Sequence, residues 1–247
     1  MTDIRVFPDS AALAQAAAER VVSLVTDAVS ARGRFSIGLS GGSTPRALYT
    51  LLASDETARR IDWGHVHVFW SDERCVAPDH SQSNYRMARE TLLDQVALPK
   101  GNVHRMRGEI DPVQAADDYE QALHAFFREP VGQQHLPQPR FDLLLLGMGD
   151  DGHTASLFPG TPALREPLRW VVENRVEKLD AWRITLTPVA INAAAAVVFL
   201  VTGEDKAATL RAVLKGPRQP EKYPSQLIHP DHGDLTWMVD AAAAAQL

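Results

Sequence analysis

Apolar and polar positions alternate along the chain in blocks that predict helices and strands in turn. Apolar residues recur at helical spacing in an alanine-rich first segment, at Leu13, Ala17, Val21, Leu24 and Ala28. This spacing predicts an amphipathic helix that ends at Gly33. The apolar run at 35–39 then predicts a short strand, so we expect about one helix ahead of the first strand of the sheet.

A turn rich in glycine and serine, residues 40–45, follows this strand. Pro45 suits the first position of a helix, so we expect a helix from Pro45 to Leu52 with Thr44 as its cap. Free amides at the start of that helix, with the hydroxyls of Ser43 and Thr44, can hold a small anion. An ordinary tight turn with a helix cap explains the same residues, and both interpretations stay open.

The rest of the chain continues the alternation. Strands are predicted at 66–70, in the apolar run that begins at Phe141, at 195–202 and at 235–239, and helices at 81–93, 113–127 and 205–214. Such alternation favours a mostly parallel sheet flanked by helices. We interpret the proline-rich polar segments 130–139 and 216–224 as surface loops within one domain that spans residues 1–247.

The composition indicates which class of binding partner and which cellular compartment to expect. The 247 residues carry a formal net charge of -6, which gives no basic field for nucleic acid, so a small molecule is the expected partner. Cys75 is the only cysteine, which excludes an intrachain disulfide and suits a reducing compartment. The N-terminus resembles neither a signal peptide nor a membrane span. We expect a soluble cytoplasmic protein with no membrane contact and no obligate protein partner.

The segment 141–160 holds the first candidate for chemistry. An apolar run suited to a buried parallel strand stops at glycines and is followed by Asp150, Asp151 and His153. Open α/β sheets bind ligands beyond the carboxyl ends of their strands, which makes His153 a candidate catalytic base.

Charged residues also follow or flank other predicted strands. Asp72, Glu73 and Arg74 follow the strand at 66–70, where a plain salt bridge between Asp72 and Arg74 capping a loop is the alternative interpretation. Arg183 and Lys206 lie near further strand boundaries, and each alone is typical of a solvated charge.

Two known functional motifs match the sequence but lack the structural context that they normally have. Gly147, Gly149 and Gly152 match the dinucleotide-binding fingerprint, but a proline and a glycine at 159–160 interrupt the long helix that it requires. The segment 38–42 matches the nucleophile elbow of serine hydrolases, with Ser40 as the nucleophile. That reading lacks an upstream glycine-rich loop for an oxyanion hole, and its triad acid would be only two residues from its histidine.

Metal and nucleotide sites have little support. The turn at 40–45 lacks the lysine of a P-loop, which makes nucleoside triphosphate binding an unfavourable interpretation. His65 with His67, and His229 with His232, have a spacing that metal ligands can share, but neither pair has a clear third ligand nearby. We interpret them as surface histidines and expect no metal.

A set of motifs taken in order is more specific than any one of them. It comprises SGGSTP at 40–45, DERCV at 72–76, SNY at 83–85, GMGDDGHTASLFPG at 147–160, RITLT at 183–187, VTGEDK at 201–206 and LTW at 235–237. Together they resemble the 6-phosphogluconolactonase family over nearly the whole chain. Ala77, where that family is expected to have proline, is a departure that bears on the local loop shape.

The resemblance implies a fold, a reaction and roles for residues. The fold is the Rossmann-like α/β type shared with glucosamine-6-phosphate deaminases and ribose-5-phosphate isomerases. The reaction is hydrolysis of 6-phospho-D-glucono-1,5-lactone in the oxidative pentose phosphate pathway, without metal or organic cofactor. His153 matches the general base and Arg74 the active-site arginine. Beside this resemblance, we count Asp151, which is suited to orient the imidazole, and Asp72 among the candidate catalytic residues. The implied phosphate-binding residues are Gly41, Gly42, Ser43, Thr44, Arg183 and Lys206.

Two rival functions share parts of the pattern. Glucosamine-6-phosphate deaminases resemble the chain at the glycine turn and at Asp-Gly-His, but continue with a sequence that carries an acid where this chain has Thr154 to Pro159. Sugar-phosphate sensors of some transcription regulators share the fold and carry a helix-turn-helix ahead of it, for which this chain has neither the length before its first predicted strand nor a basic patch.

Overall fold

The computed structural model describes residues 3–128 and 139–247, so the loop predicted at 130–139 lies outside the described residues except for Pro139. Within these ranges the strands are β1 (Asp3–Phe7), β2 (Phe35–Leu39), β3 (Val66–Trp70), β4 (Asp72–Arg74), β5 (Leu143–Leu146), β6 (Val171–Val176), β7 (Ala181–Leu186), β8 (Ala196–Val201) and β9 (Asp234–Asp240). The helices are α1 (Ser10–Arg32), α2 (Ser43–Leu52), α3 (Asp55–Ala58), α4 (Asn84–Ala88), α5 (Pro112–Arg128), α6 (Pro188–Asn192) and α7 (Ala207–Lys215).

Six strands form a parallel sheet in the order β1-β9-β8-β5-β2-β3. Every residue of β2, β5 and β8 is buried, as expected for central strands covered on both faces. The predicted parallel α/β fold is therefore confirmed, including the strands at 35–39 and 66–70 with the same bounds.

The order of the strands locates a crevice. The chain runs outward from β2 to β3 and then returns to place β5 on the other side of β2, followed by β8 and β9. The connection that follows β2 therefore leads toward one edge of the sheet, and the connection that follows β5 leads toward the other edge. Loops beyond the carboxyl ends of strands at such a switch point spread apart and leave room for a ligand.

A second sheet escaped the sequence analysis. The strands β4, β7 and β6 form a three-stranded antiparallel sheet, so 72–74 are themselves a strand and not simply a loop after β3. Strand β4 has only three residues, and in β7 the first three residues are partly exposed while the last three are buried. Such segments give a weak periodic signal.

Two details at helix starts also differ from expectation. The sheet begins before the first helix, because β1 pairs in parallel with β9 at the edge, which the sequence analysis missed. The helix α2 starts at Ser43 with Gly42 as its N-cap residue, so Pro45 is its third residue and the prediction that Thr44 caps it is wrong. The first helix does end at Gly33, which takes the left-handed conformation with φ 71°.

Three further predicted helices are present in the structure, with small differences in their bounds or helix type. Helix α4 continues through a wider π-helical turn to Leu93 within the predicted 81–93, and α5 matches 113–127 with one more residue at each end. The predicted helix at 205–214 appears as a 3-10 turn followed by α7. Among the described residues, no helix is both long enough and apolar enough to span a bilayer.

Candidate active site

A cavity of about 370 Å³ opens at the carboxyl ends of the central strands. Its walls come from the segments that follow β2, β3, β5 and β8, namely residues 40–45, Asp72, Arg74, 147–149, His153, Ala155, 200–202, Asp205 and Lys206. This size lies within the range typical of small-molecule sites. The structure therefore brings together most of the residues singled out in the sequence, from segments as far apart along the chain as Ser40 and Lys206.

The turn after β2 presents backbone donors to this cavity. Gly42 has φ 113°, a conformation that favours glycine, and the helix α2 begins directly after it. No side chain among the described residues caps this helix start, since the hydroxyl of Thr44 contacts that of Thr202 at 2.7 Å. The amides of Ser43 and Thr44 are thereby left at the positive end of the helix dipole, an arrangement suited to an anion. Lys206 faces the same cavity.

The loop after β5 carries a histidine paired with a carboxylate. Nδ1 of His153 lies 2.6 Å from Oδ1 of Asp151, and the same oxygen accepts the backbone amide of His153 at 3.2 Å. The bond with His153 is the main cause that holds the pKa of Asp151 well below its usual range. An ionised Asp151 accepts the proton on Nδ1 and leaves Nε2 as the basic nitrogen of a neutral imidazole.

Close packing fixes the plane of this imidazole. The ring of Phe158 stacks on it with centroids 4.0 Å apart and an angle of 20° between planes. A methyl group added at Gly149 would lie 2.0 Å from Nδ1 of His153. Glycine at 149 is thus a condition for the observed position of the ring, in addition to its place in the turn that closes with the bond from Gly149 N to His153 O at 2.9 Å.

Lys178 is a contact of this pair that the sequence analysis did not single out. It lies on the 3-10 turn Glu177–Leu179 between β6 and β7, and its Nζ is 3.1 Å from Oδ2 of Asp151. Asp151 is therefore bound through one oxygen to an imidazole and through the other to an ammonium. Nothing near Lys178 in the sequence forms a recognisable motif, so only the structure reveals this contact.

Asp72 is a buried residue at the rim of the cavity, and two residues donate hydrogen bonds to it. Its Oδ2 accepts a hydrogen bond from the hydroxyl of Ser156 at 2.7 Å, and its backbone oxygen accepts one from the amide of Asn84 at 3.0 Å. Arg74 instead donates to the backbone oxygen of Gln82 at 2.6 Å. The alternative of a plain salt bridge between Asp72 and Arg74 is therefore not what the structure contains.

The neighbouring carboxylate, Glu73, has a structural task. It is 3% exposed and accepts hydrogen bonds from the backbone amides of Arg74, Asn84 and Tyr85 at 2.7 to 2.8 Å. Burial nevertheless raises its pKa above the ordinary value. Through these bonds Glu73 ties β4 to the start of α4 and so holds Asn84 against Asp72.

Arg183 is placed differently from the other predicted phosphate ligands. It stands directly across from Arg74 in the pairing of β7 with β4, and within the described part of the chain it does not line the cavity. Burial, followed by the charge of Arg74, lowers the pKa of Arg183. Like charges that lie opposite each other on a sheet repel. The two arginines nevertheless occupy opposite positions, and together they place positive charge next to the cavity.

Ser40 does not have the contacts of a hydrolase nucleophile. Its side-chain oxygen is buried and has no hydrogen-bond partner among the described residues, while His153 is engaged with Asp151. The backbone of Ser40 is held by the hydroxyl of Tyr49, which accepts from its amide at 3.0 Å and donates to its carbonyl at 2.9 Å. The loop after β5 continues as turns and opens no long helix, unlike a dinucleotide-binding fingerprint.

The histidine pairs considered for metal have other contacts. His65 pairs with Asp62 at 2.9 Å, and His67 with His104 at 3.3 Å. His229 is an exposed residue whose amide is bound by Asn192. Across 3–128 and 139–247, no group of three or more ligand-type side chains is arranged to hold a metal ion.

The fold and the cavity define a doubly wound α/β protein whose cavity joins an uncapped helix start to a loop that carries a histidine and carboxylate pair. In such proteins the ligand lies across the switch point of the sheet, here between the loops after β2 and β5.

Comparison with known proteins is more specific. The family described as glucosamine-6-phosphate isomerases/6-phosphogluconolactonase matches residues 8–237. The chain is 42% identical over 245 residues to a 6-phosphogluconolactonase of Nostoc sp., covering 99% of this chain and 98% of that protein. It is 44% identical over 228 residues to a 6-phosphogluconolactonase of Synechocystis sp., covering 92% and 90%. The chain therefore belongs to the glucosamine-6-phosphate isomerase and 6-phosphogluconolactonase family, which confirms the resemblance found in its motifs.

Solved structures agree with this assignment. A 6-phosphogluconolactonase from Trypanosoma cruzi superimposes with a TM-score of 0.85 at 31% identity, covering 100% of this chain and 97% of that one. A monomeric glucosamine-6-phosphate deaminase superimposes with a TM-score of 0.82 at 20% identity, covering 99% and 100%, and shares the fold.

Proposed function

We propose that this protein hydrolyses 6-phospho-D-glucono-1,5-lactone to 6-phospho-D-gluconate, with His153 as the general base. The observation that carries the proposal is that one cavity holds both the imidazole paired with Asp151 and the uncapped start of α2. A sugar lactone with a distal phosphate requires these two features at opposite ends of its site. Relatives named 6-phosphogluconolactonase, at 42% and 44% identity, support the same reaction.

The chemistry needs no covalent intermediate on the protein. Nε2 of His153 takes a proton from a water molecule as its oxygen attacks the lactone carbonyl carbon, and the carbonyl becomes an oxyanion. Collapse of that oxyanion breaks the ring C–O bond, and the imidazolium returns its proton to the departing ring oxygen. General-base assistance of this kind is typically worth about a hundred- to ten-thousand-fold in rate.

The phosphate end of the substrate supplies binding energy away from the reacting carbon. We assign it to the amides and hydroxyls of residues 41–44 together with Lys206, all of which line the cavity. Arg183 is proposed to act with Arg74 as a source of positive potential beside the cavity. Arg74 is the candidate partner of the developing oxyanion because it lines the cavity while its neighbour Arg183 does not.

The rival deaminase function fits this site less well. The segment after His153, which carries an acid in the deaminases, contributes Ala155 to the cavity wall and Ser156 to Asp72. A release of ammonia from glucosamine 6-phosphate by the wild-type protein would favour the rival reaction over the lactonase.

We also propose that residues 1–247 act as one domain in the cytoplasm. The parallel sheet that forms the site includes both β1 and β9, which supports a single unit. Cys75, the single cysteine, is a free thiol, as suits a reducing compartment.

The test is a lactonase assay coupled to glucose-6-phosphate oxidation, with spontaneous hydrolysis subtracted. The wild-type protein should accelerate hydrolysis above that background. His153→Gln should lower kcat by about a hundredfold or more, because the water loses its base, and should still bind 6-phosphogluconate. Unchanged kcat in this variant would remove His153 from the mechanism, and stoichiometric labelling of Ser40 by a fluorophosphonate would point to a serine hydrolase instead.

A further inference from the structure

Lys178 reaches from the small sheet to the catalytic loop. The turn Glu177–Leu179 that carries it lies between β6 and β7, whereas Asp151 follows β5 of the large sheet. Its ammonium is 3.1 Å from Oδ2 of Asp151, and the partner charge raises the pKa of Lys178. The side chain of Asp151 is 21% exposed and that of Lys178 is 64% exposed, so the contact sits at the outer edge of the site.

The two oxygens of Asp151 have separate partners. Oδ1 is 2.6 Å from Nδ1 of His153, and Oδ2 is bound by Lys178. Oδ1 also accepts the backbone amide of His153, and the ion pair on Oδ2 adds a second restraint on rotation of the carboxylate about its Cβ–Cγ bond. The ion pair also offsets the negative charge that favours the imidazolium form of His153.

We propose that Lys178 is a positioning residue for the reaction: it holds Asp151 against His153 and balances the carboxylate's charge so that the imidazole remains available as a base near neutral pH. This inference rests on the proposed function, in which His153 activates water. Lys178 need not touch the substrate, since it acts through Asp151.

Other charged residues near the His153 imidazole also contribute to the electrostatic potential at its ring. Asp150 precedes Asp151 in the same loop and adds to the field at Lys178. Asp72 and Arg74 from β4, and Asp205 and Lys206 from the turn after β8, line the same cavity. Asp205 and Lys206 pair with each other at 2.9 Å, which reduces their joint field at His153.

The direction of the pH effect follows from the charges. Removing the ammonium leaves Asp151 free to stabilise the protonated imidazole, so His153 takes up its proton at a higher pH. The acid limb of the kcat/KM profile should then move upward, and the plateau at high pH should fall modestly because Asp151 is held less firmly against His153. Because the two charges are separated by a carboxylate and one is exposed, we expect a shift of about 0.5 pH unit.

The experiment compares Lys178→Met, which removes the charge at similar length, with Lys178→Arg, which keeps it. Lys100→Met is the matched control, because Lys100 lies on a similar 3-10 turn beside the amino-terminal end of β3, away from the cavity. The readouts are an NMR titration of the His153 ring, assigned with His153→Gln, and the pH profile of kcat/KM. We expect an upward shift of both in Lys178→Met, little shift in Lys178→Arg and none in Lys100→Met.

Superimposable His153 titrations in the wild type and Lys178→Met would overturn the proposal, as would a loss of kcat/KM that is equal at every pH. The NMR titration needs no substrate, so it separates this inference from the proposed function. A wild-type protein without lactonase activity would refute the function, and the titration would still decide the role of Lys178.

Discussion

At the scale of single residues, the position of the His153 ring depends on the lack of a side chain at residue 149. Gly149 has no side chain, and the space that a methyl group would fill is taken by the ring of His153. The same ring stacks on that of Phe158. These two contacts restrict the positions in which the imidazole can keep its bond to Asp151.

Gly149→Ala tests this steric condition. The added methyl would lie 2.0 Å from Nδ1 and 2.2 Å from Cε1 of His153, so the ring must move and the bond to Asp151 must lengthen or break. A misplaced base is expected to cost about a hundredfold in kcat, measured in the coupled lactonase assay. Gly101→Ala is the control, since a methyl group there meets nothing within 4 Å, and it should keep full activity. Equal kcat in both variants would show that the ring tolerates displacement.

At the scale of elements, the end of β2 is held apart from β5 by a side chain. The pairing of these strands is confined to Ile37 with Leu143 and Gly38 with Leu144, and beyond it the hydroxyl of Tyr49 bonds the backbone of Ser40. Tyr49, from α2, is fully buried. A helix side chain thus substitutes for the missing strand partner at the point where the crevice opens.

Tyr49→Phe should weaken both the fold and phosphate recognition. It leaves the buried amide and carbonyl of Ser40 without partners, which we expect to cost about 2 kcal/mol in the free energy of unfolding, measured with urea. Because Ser40 begins the phosphate turn, KM should rise several-fold for the phosphorylated lactone and much less for gluconolactone.

Tyr85→Phe serves as the matched control for Tyr49→Phe. The ring of Tyr85 packs edge-on against Trp70, and its hydroxyl has no hydrogen bond within the described residues, so stability and KM should stay close to those of the wild type. If Tyr49→Phe raised KM equally for both substrates, the link from Tyr49 to phosphate binding would be contradicted.

Sequence patterns predicted the elements with strong periodicity and missed those without it. The fully buried strand Phe35–Leu39 was predicted with its correct bounds, and the candidate site was sought in the segments that follow such strands. The strands β4, β6 and β7 were not predicted, because β4 has only three residues and burial does not alternate strictly along β6 and β7. The contact of Lys178 with Asp151 depends on where this second sheet packs, and no local pattern encodes that.

Helix capping shows a different limit. Thr44 has the residue type of a cap, but its hydroxyl is engaged by Thr202, a residue 158 positions away. Tertiary contact overrode local preference, and it did so where an anion is proposed to occupy the vacant cap. The sequence thus placed a glycine turn at the start of α2, as observed, while assigning the hydroxyl of Thr44 the wrong partner.

At the scale of the whole molecule, a histidine other than the proposed base makes the stability of the fold depend on pH. His104 packs against Phe69 with ring centroids 4.3 Å apart, at the edge strand β3. Burial and then the neighbouring His67 lower its pKa to about 4. The folded protein therefore favours neutral His104, whereas the unfolded chain protonates it near its ordinary pKa of 6.5.

This difference predicts acid sensitivity of the fold. The stabilisation from neutral His104 is complete above the unfolded pKa and is lost as pH falls from about 6.5 towards 4, because the unfolded state binds the extra proton. After allowance for its partial exposure, the loss between pH 7 and pH 5 should be about 1 kcal/mol. Urea unfolding at the two pH values should show that His104→Phe, which keeps the ring stack, loses less stability on acidification than the wild type. Equal losses would contradict the assignment.

The position of β9 has a consequence for synthesis of the protein. The strand Asp234–Asp240 lies between β1 and β8, so the first strand of the sheet has no partner until the last one is made. A nascent chain still shorter than this must carry β1 unpaired and β8 as an open edge, both of which can join strands of other chains. This sheet is therefore expected to complete its folding only after β9 has left the ribosome, which makes it a substrate for chaperones that shield strand edges during translation.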